Sequence, residues 1–345
     1  MAKARQQRIG ILTAGGDCPG INAAIRGVGK TAIVKYGMKV IGISDGYTGL
    51  INKEYRELSE QDLSGILTLG GTILGTSREK PFKSSGKGKN EISKPVLMRE
   101  HYEQMGLDAL VCIGGNGTQK TANLLAQEGM NIVGIPKTID NDVWGTDLTF
   151  GFDSAVNIAT EAIDRLHSTA NSHKRIMVIE LMGHNAGWIS LYSGIAGGGD
   201  VILIPEIEYS EEKIADYLLR RMEGNKPYSI VVVAEGIRNP AKDMSVAQYL
   251  SRKITELTGL ETRETVLGYI QRGGTPSPMD RVLATRYGAA AADLIANNEF
   301  GKMVTLKDDK ISSITLAEVA GKLKLVDPTN QLVVKTRNMG TSFGD

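Results

Sequence analysis

The sequence predicts an α/β protein with parallel sheets that are covered by helices on both faces. Three observations support this prediction. Short apolar runs of strand length alternate with helical stretches along the chain, which is the pattern of buried parallel strands. The 41 glycines are scattered among these runs, as expected for many tight strand-to-helix turns. The length of 345 residues suggests about two domains of roughly 150 residues each.

Composition argues against several classes of protein. Hydrophobic residues make up 41% of the chain and charged residues 23%, as in ordinary globular proteins. A formal net charge of +1 gives no bulk field that would attract nucleic acid or a membrane surface. The two cysteines, Cys18 and Cys112, make neither a disulfide framework nor a zinc site. They suit a reducing cytosol, so we expect a cytoplasmic protein without a nucleic-acid or membrane partner.

Targeting segments are not expected. The basic start, Met1–Arg8, is followed by only a short apolar piece, Ile9–Leu12, which is not the pattern of a signal peptide. No run of about 18 apolar residues occurs, so the sequence predicts no membrane span.

The pattern begins with a strand, a glycine-rich turn and a helix. Arg8–Thr13 predicts a buried strand, Ala14–Gly20 is the turn, and a helix begins at about Ile21. Such an arrangement places backbone N–H groups against phosphate. It matches neither the dinucleotide fingerprint nor the Walker sequence, and a purely structural turn explains it equally well.

Glycine-rich segments recur twice in the first half of the chain. Lys39–Ile43 predicts a second strand, and Gly70–Arg78 is a second glycine-rich segment that ends in an arginine. Because guanidinium groups bind phosphate oxygens in pairs, Arg78 is a candidate phosphate clamp, although a surface arginine is the commoner case. Asp108–Ile113 predicts a third strand, after which Gly114–Thr118 opens a helix and allows close approach to a polyphosphate.

The central motif follows the strand predicted at Asn131–Ile135, which Pro136 ends. The next six residues supply a cation, a hydroxyl and two carboxylates: Lys137, Thr138, Asp140 and Asp142. Past a strand's carboxyl end, such groups lie where open α/β sheets bind ligands. Carboxylates two residues apart on an extended segment face the same way, so one can accept a proton from a substrate hydroxyl while the other helps to hold Mg²⁺. A solvated polar loop is the alternative.

The second half of the chain repeats this alternation. A helix is predicted over Ser154–Ser168 from apolar residues at helical spacing. Further strands are predicted from apolar runs at Ile176–Leu181, Val201–Glu206 and Ser229–Gly236, and Thr265–Gly274 repeats the pattern of an apolar run followed by two glycines with a cation. We place the domain boundary near Gly151. Basic Lys80–Lys89 is expected to form a mobile loop, and polar Pro328–Asp345 is expected to be partly loose.

Four of these motifs together resemble the phosphofructokinase family. They are Gly15–Gly20, Gly70–Thr72, Pro136–Asp142 and Gln271–Gly274, and their order and spacing are highly specific. The resemblance runs from Gly10 to about Arg286 and points to bacterial-type short chains, in a subgroup with mixed ATP and pyrophosphate donors. It implies two Rossmann-like parallel-sheet domains with the active site in the cleft between them. The implied domains are a larger donor-binding one, 1–150 plus about 264–318, and a smaller one that binds fructose 6-phosphate, about 151–263 plus 319–345.

The resemblance implies phosphoryl transfer from ATP to the 1-hydroxyl of fructose 6-phosphate, a step of glycolysis that uses Mg²⁺. Asp140 matches the family's base, Thr138 flanks it, and Lys137 and Arg78 would stabilise the transferring group. The donor side matches Gly16, Tyr47, Arg78, Gly115, Asn116, Gly117 and Thr118. The sugar side matches Thr138, Ile139, Asp140, Arg175, Met182, Gly183, His184, Glu235, Arg263, Tyr269 and Arg272. The candidate metal ligands are Asn116 and Asp142.

The match also implies self-assembly and shows three departures. The family supplies the arginine matched by Arg175 from a neighbouring subunit, which implies a homo-oligomer, typically a tetramer built from dimers. Asn116 stands where many members have Asp, and its amide can ligate Mg²⁺ but carries no charge. His184 stands where many have Arg, a stronger phosphate partner. Tyr269 replaces a His and still donates one hydrogen bond.

Two positions bear on the phosphate donor. Pyrophosphate-using relatives usually carry Asp where this chain has Gly117, and that carboxylate would repel the α-phosphate of ATP. Lys137 favours pyrophosphate, because pyrophosphate users generally have Lys there and many bacterial ATP users have Gly. Charge exclusion is the stronger constraint, so the sequence predicts ATP, with a pyrophosphate-dependent or dual-donor enzyme as the alternative.

Two other classes of protein are alternatives to a phosphofructokinase enzyme. A non-catalytic regulatory subunit that only binds sugar phosphate is motivated by Asn116 and His184. A dinucleotide oxidoreductase shares the α/β pattern, but it needs a glycine fingerprint followed by an acid about 20 residues on, which this sequence lacks.

Overall fold

The computed structural model describes residues 5–83 and 93–345. The predicted loop Lys80–Lys89 therefore lies outside the described residues from position 84 onward, as does the start of the chain. The chain divides into two compact units. Unit 1 comprises Met1–Thr138, Val143–Gly151 and Gly273–Leu323, and unit 2 comprises Ile139–Asp142, Phe152–Arg272 and Lys324–Asp345.

Strands and helices alternate through both units. The strands are β1 Arg8–Thr13, β2 Lys39–Ile43, β3 Tyr55–Leu58, β4 Ala109–Gly114, β5 Ile132–Pro136, β6 Ile176–Leu181, β7 Val201–Leu203, β8 Ser229–Ala234, β9 Thr262–Val266, β10 Lys302–Lys307 and β11 Lys310–Thr315. The α-helices are α1 Ile21–Lys30, α2 Tyr47–Asn52, α3 Lys94–Gln104, α4 Asn116–Gln127, α5 Phe152–His173, α6 Trp188–Ala196, α7 Glu211–Glu223, α8 Val246–Thr258, α9 Pro278–Ala296, α10 Leu316–Val319 and α11 Gln331–Asn338.

Unit 1 is built on a seven-stranded sheet in the order β11-β10-β5-β4-β1-β2-β3. Its central strands are parallel, while the edge strands β3 and β11 run antiparallel to their neighbours. Apolar side chains such as Ile9, Ile11 and Leu12 are fully buried, which explains why these runs form interior strands. The direction of strand addition reverses beside β1, and such a reversal opens a crevice at the strands' carboxyl ends.

Unit 2 has a four-stranded parallel sheet in the order β7-β8-β6-β9. Its centre, β8, is buried at every position. Helix α5 begins directly after Gly151 and runs beyond the predicted Ser154–Ser168 in both directions. The expected α/β class with parallel-sheet domains is confirmed.

The bounds of the two units differ from the domain bounds expected from the sequence at three short segments. Residues 264–272 belong to unit 2, because β9 pairs with β6. Residues 319–323 belong to unit 1, where Leu323 bridges to Val143. The loop Ile139–Asp142 belongs to unit 2, and the backbone N–H of Lys324 donates to the Asp142 carbonyl over 2.8 Å.

The carboxyl-terminal segment is ordered, contrary to the expectation that it is partly loose. Helix α11 occupies its middle, and Phe343 is 1% exposed. The backbone N–H of Ile202 donates to the Ser342 carbonyl over 2.9 Å, so the last residues extend the sheet of unit 2 beside β7. The burial of the apolar Phe343 side chain stabilises this segment, although the segment is polar in overall composition. Among the residues that the structure describes, none of the helices combines the length and apolar character needed to cross a bilayer.

Candidate active site

The turn after β1 is joined to the second glycine-rich segment in unit 1. Gly15 has a φ of 87°, a conformation that favours glycine. Its N–H donates to the Ser77 carbonyl over 2.9 Å, and its carbonyl accepts from the Thr76 hydroxyl over 2.7 Å. The Thr13 hydroxyl donates to the Gly75 carbonyl over 2.6 Å. Two segments that the sequence singled out separately thus form one layer of loops, with Arg78 exposed at its end.

Helix α4 begins beside this layer with an open first turn. Gly115 precedes the helix and provides no side-chain cap for its N–H groups, and uncapped N–H groups at a helix start attract anions. A Cβ added at Gly117 would meet nothing within 4 Å, so the space above this residue is open. The Thr118 hydroxyl donates to the Ala14 carbonyl over 3.3 Å, which joins the helix start to the turn after β1.

Tyr47 supports the helix start from below. Its side chain is 1% exposed, and its hydroxyl donates to the Thr118 carbonyl over 2.9 Å. Burial, with a smaller contribution from Cys112, raises the pKa of Tyr47 above its ordinary value, and burial raises the pKa of Cys112 to about 12. The family resemblance implied that Tyr47 contacts the phosphate donor. In this structure its buried hydroxyl bonds to the backbone at the start of α4.

Lys137 brings a buried cation to the same loops. The residue is 3% exposed, its ammonium donates to the Gly16 carbonyl, and its N–H donates to the Gly114 carbonyl over 3.0 Å. The next residue, Thr138, has its carbonyl held by the Thr149 hydroxyl over 2.7 Å. We call residues 13–17, 72–78, 114–118 and 137–138 of unit 1 the glycine cluster. It gathers uncapped backbone N–H groups and one desolvated ammonium.

The Asp140 loop, Ile139–Asp142, belongs to unit 2 and is not extended. Asn141 has a φ of 52°, so the alternation that would make Asp140 and Asp142 face the same way is interrupted. Asp140 is half-buried, and Asp142 is 7% exposed. The expectation of two parallel carboxylates is therefore corrected, because a left-handed residue turns the chain between them.

Unit 2 gathers a second group of loops around a carboxylate. Glu235, just after β8, accepts from the His184 N–H over 2.9 Å and from the Gly183 N–H over 3.3 Å. The Met182 N–H donates to the Gln271 side-chain oxygen over 2.9 Å. The predicted sugar-side residues after β6 and β8 are thus brought together, and His184 itself is exposed.

Glu206 belongs to this group although no role was predicted for it from the sequence, and Gln271 was identified only as part of the Gln271–Gly274 motif. Glu206 accepts from the Gly187 N–H over 3.0 and 3.1 Å and from the Val326 N–H over 2.9 Å. Glu206 is the carboxylate that ends the otherwise apolar predicted strand Val201–Glu206, and this position was the available signal. We call residues 182–187, Glu206, Glu235 and Gln271 the carboxylate cluster.

Two predicted arginines share one partner in unit 2. Glu261 contacts Arg175 Nε over 2.7 Å through one oxygen and Arg263 over 2.6 Å through the other. Hydrogen bonding to Arg175 is the main cause that lowers the pKa of Glu261. The side chain of Arg263 is 56% exposed and that of Arg175 is 28% exposed, so Arg263 lies at the surface of unit 2 and Arg175 is half-buried. Glu261 gave no signal in the sequence.

Tyr269 and Arg272 lie in a short 3₁₀ turn, Gly268–Arg272, that follows β9. Tyr269 is 73% exposed, whereas Arg272 is half-buried.

The side chains available for a metal ion are few. Within residues 5–83 and 93–345, no three His, Cys, Asp or Glu side chains gather into a group that could hold one. The candidates Asn116 and Asp142 offer one amide and one carboxylate. Either oxygen, on its own unit, is a ligand that suits Mg²⁺, which in phosphate-transfer sites keeps several waters and is bound through one or two protein ligands plus substrate phosphates.

Known proteins are similar to this chain over most of its length. Residues 8–295 match the family model described as phosphofructokinase. The ATP-dependent 6-phosphofructokinase 3 of Bacteroides thetaiotaomicron is 63% identical over 337 residues, which cover 98% of this chain and all of the relative. A pyrophosphate–fructose 6-phosphate 1-phosphotransferase of Amycolatopsis methanolica is 47% identical over 93% of this chain and 96% of its own length.

A solved structure gives the same result for the fold. Pichia pastoris phosphofructokinase in the T-state superposes with a TM-score of 0.83 at 35% identity, covering 92% of this chain. The match spans 35% of that longer polypeptide. A family model over most of the chain, a relative at 63% identity over full length and this shared fold lead to one conclusion. The chain belongs to the phosphofructokinase family.

Proposed function

We propose that the chain transfers the terminal phosphoryl group of ATP to the 1-hydroxyl of fructose 6-phosphate, giving fructose 1,6-bisphosphate and ADP. One observation carries the proposal: a buried Lys137 ammonium lies against the loop after β1, and a half-buried carboxylate, Asp140, follows three residues later. A desolvated cation suits a transferring phosphoryl group, and the carboxylate suits its alcohol acceptor.

The glycine cluster binds the donor. Phosphoryl transfer depends mainly on positioning and charge neutralisation, and the start of α4, which has no side-chain cap, and the ammonium of Lys137 supply both. Arg78 and the loop at Gly16 complete the contacts to the polyphosphate. Tyr47 acts from beneath by holding the Thr118 carbonyl.

Asp140 is the base in this proposal. Its carboxylate accepts the proton of the 1-hydroxyl as the new oxygen–phosphorus bond forms and the bond to ADP breaks. Thr138, Ile139, Met182, Gly183 and His184 surround the sugar, and Glu235 orders the last two through their N–H groups. The phosphate of fructose 6-phosphate is bound by Arg263, Tyr269 and Arg272, with Arg175 alongside.

Mg²⁺ fits the donor side. Asn116 and Asp142 would hold it together with phosphate oxygens and water. When bound, Mg²⁺ neutralises charge on the phosphate oxygens. Asn116, the candidate ligand on the donor side, is the first residue of α4.

ATP is the favoured donor because the space above Gly117 is open. No carboxylate occupies this position, so nothing there repels an α-phosphate. A second candidate, pyrophosphate or use of both donors, is favoured by Lys137, whose ammonium is already placed at the phosphate loops.

We also propose a homo-oligomer, a tetramer built from dimers, in the cytosol. Glu261 contacts the partly exposed Arg175 on unit 2, and the family resemblance matches Arg175 to an arginine that is supplied from a neighbouring subunit. The regulatory-subunit alternative requires that the purified chain be inactive alone.

The test is turnover of fructose 6-phosphate by the purified chain with ATP and with pyrophosphate in separate assays. ATP is expected to be the better donor. Asp140→Asn keeps the size of the side chain but removes the base, and kcat is expected to fall roughly 10²- to 10⁴-fold. Preference for pyrophosphate would contradict the assigned donor, and full activity of Asp140→Asn would contradict the assigned base.

A further inference from the structure

Lys324 lies against the Asp140 loop although it is 183 residues from Asn141 in the chain. Its ammonium donates to the Asn141 side-chain oxygen over 2.9 Å. Its backbone N–H donates to the Asp142 carbonyl over 2.8 Å. Both ends of the same lysine therefore engage the two residues that follow Asp140.

Asn141 needs such a partner. Its φ of 52° lies in the left-handed region, which Asn adopts more readily than most residues other than glycine because its side chain can hydrogen-bond. The side chain is 2% exposed, so its amide oxygen depends on protein donors rather than on water. The ammonium of Lys324 supplies a charge-assisted hydrogen bond at this oxygen.

Lys324 is itself fixed in place by Trp188, the first residue of α6. The indole N–H donates to the Lys324 carbonyl over 2.8 Å. The ammonium lies 5.5 Å from the centre of the indole ring, within the range of a cation–π contact. Long lysine side chains at surfaces sample many rotamers, whereas these contacts confine this one to the position that meets Asn141.

We infer that Lys324 is a positioning residue for phosphoryl transfer: it holds the left-handed turn at Asn141 and thereby fixes the direction in which Asp140 presents its carboxylate. The inference rests on the proposed function, because it takes Asp140 as the base. It predicts an effect on the chemical step, since a base displaced by about 1 Å loses rate while donor binding is unaffected.

Lys324→Met removes the ammonium and keeps the stem and the backbone N–H. Its kcat is expected to fall on the order of 10- to 100-fold, while the KM for ATP stays within about 2-fold of the parent. A fall in kcat without a change in KM indicates that an interaction made only in the transition state is lost. The matched control is Lys322→Met, which removes the cation over the Trp144 ring in unit 1 and is expected to keep full activity. Unchanged kcat in Lys324→Met would overturn the inference.

Asn141→Gly tests the same contact from the other side, and it serves where Lys324→Met folds poorly. Glycine accepts the left-handed φ but offers no oxygen to Lys324, so a loss of kcat similar to that of Lys324→Met is expected. In the double variant the two losses should not multiply, because they remove one interaction. Full activity of Asn141→Gly, or multiplied losses, would overturn the inference.

Asp140→Asn separates this inference from the proposed function. If Asp140→Asn is inactive while Lys324→Met is fully active, the positioning role fails and the base assignment stands. If Asp140→Asn is active, the base assignment fails and the positioning role fails with it. Loss of kcat in all three variants, with melting temperatures close to that of the parent, supports both.

Discussion

The loops within the glycine cluster of unit 1 and the loops within the carboxylate cluster of unit 2 are joined by different kinds of hydrogen bond. The described bonds that join the loops of the glycine cluster come from hydroxyls and backbone groups, such as those of Thr13 and Thr76, and from the Lys137 ammonium. In the carboxylate cluster, Glu235 and Glu206 accept backbone N–H groups directly. Each cluster lies at the carboxyl ends of parallel strands, so the sheets do not cause the difference.

The proposed ligands explain the contrast. A polyphosphate carries several negative charges, so neutral hydroxyls and an ammonium such as Lys137 can hold its loops without repelling it. A sugar presents hydroxyls that donate hydrogen bonds, and a carboxylate such as Glu235 can order a loop and still accept from them. Similar scaffolds are therefore specialised by the charge of the groups that support the loops.

The strongest way to break the comparison is to put a carboxylate into the glycine cluster. Gly117→Asp has room for its side chain, and an acid in the first turn of α4 suits the helix dipole. Two unit charges 4 Å apart repel by roughly 4 kcal/mol at an effective dielectric of 20. We therefore expect kcat/KM for ATP to fall on the order of 10²- to 10³-fold, measured by steady-state kinetics with each donor.

Gly117→Asn is the matched control, since it adds nearly the same volume without charge. It is expected to lose far less ATP activity than Gly117→Asp. Equal losses in the two variants would show that volume, rather than charge, closes the donor site. Gly117→Asp should keep the melting temperature of the parent.

The converse change removes the carboxylate from its cluster. Glu235→Ala takes the acceptor from the N–H groups of Gly183 and His184, and a hydrogen bond to a charged group contributes about 1.5 to 3 kcal/mol. We expect kcat/KM for fructose 6-phosphate to fall roughly 10- to 100-fold, while the KM for ATP stays near that of the parent. Glu235→Gln retains an acceptor oxygen and should lose less. An unchanged kcat/KM for fructose 6-phosphate in Glu235→Ala would contradict the role of this carboxylate.

The smallest expected effect concerns the neutral groups beneath the glycine cluster. Burial raises the pKa of Cys112 from 9.0 to about 12. The stability that this thiol contributes is complete below its unfolded pKa and is lost as pH rises from 9 toward 12, because the unfolded thiol ionises first. Between pH 8 and 10.5 the loss is about 2 kcal/mol.

Cys112→Ala removes this titration. Its free energy of unfolding, measured by denaturant titration at both pH values, should fall about 2 kcal/mol less than that of the parent over the same interval. The cost of the smaller side chain is independent of pH and cancels in the difference. Parallel pH curves for the two proteins would contradict the assignment.

Local patterns carried much of the fold. The strands predicted at Lys39–Ile43 and Ile176–Leu181 are observed with those bounds, because the apolar residues of a buried strand are consecutive in the sequence. The glycine-rich turns after β1 and β4 were also readable, since their function is local backbone geometry. The bounds of α5 and the order of the tail were not, because packing partners distant in sequence decided them.

The sequence by itself determined the parallel α/β class, the family and the residues of the central motif, since each of these is encoded over short stretches. Only the tertiary structure decided that Asn141 turns the chain between two carboxylates, that Glu261 joins Arg175 to Arg263, and that Lys324 meets Asn141 across 183 residues of chain. The physical reason is that contacts between distant segments depend on how the sheets and helices pack, and no local pattern of residues specifies that packing.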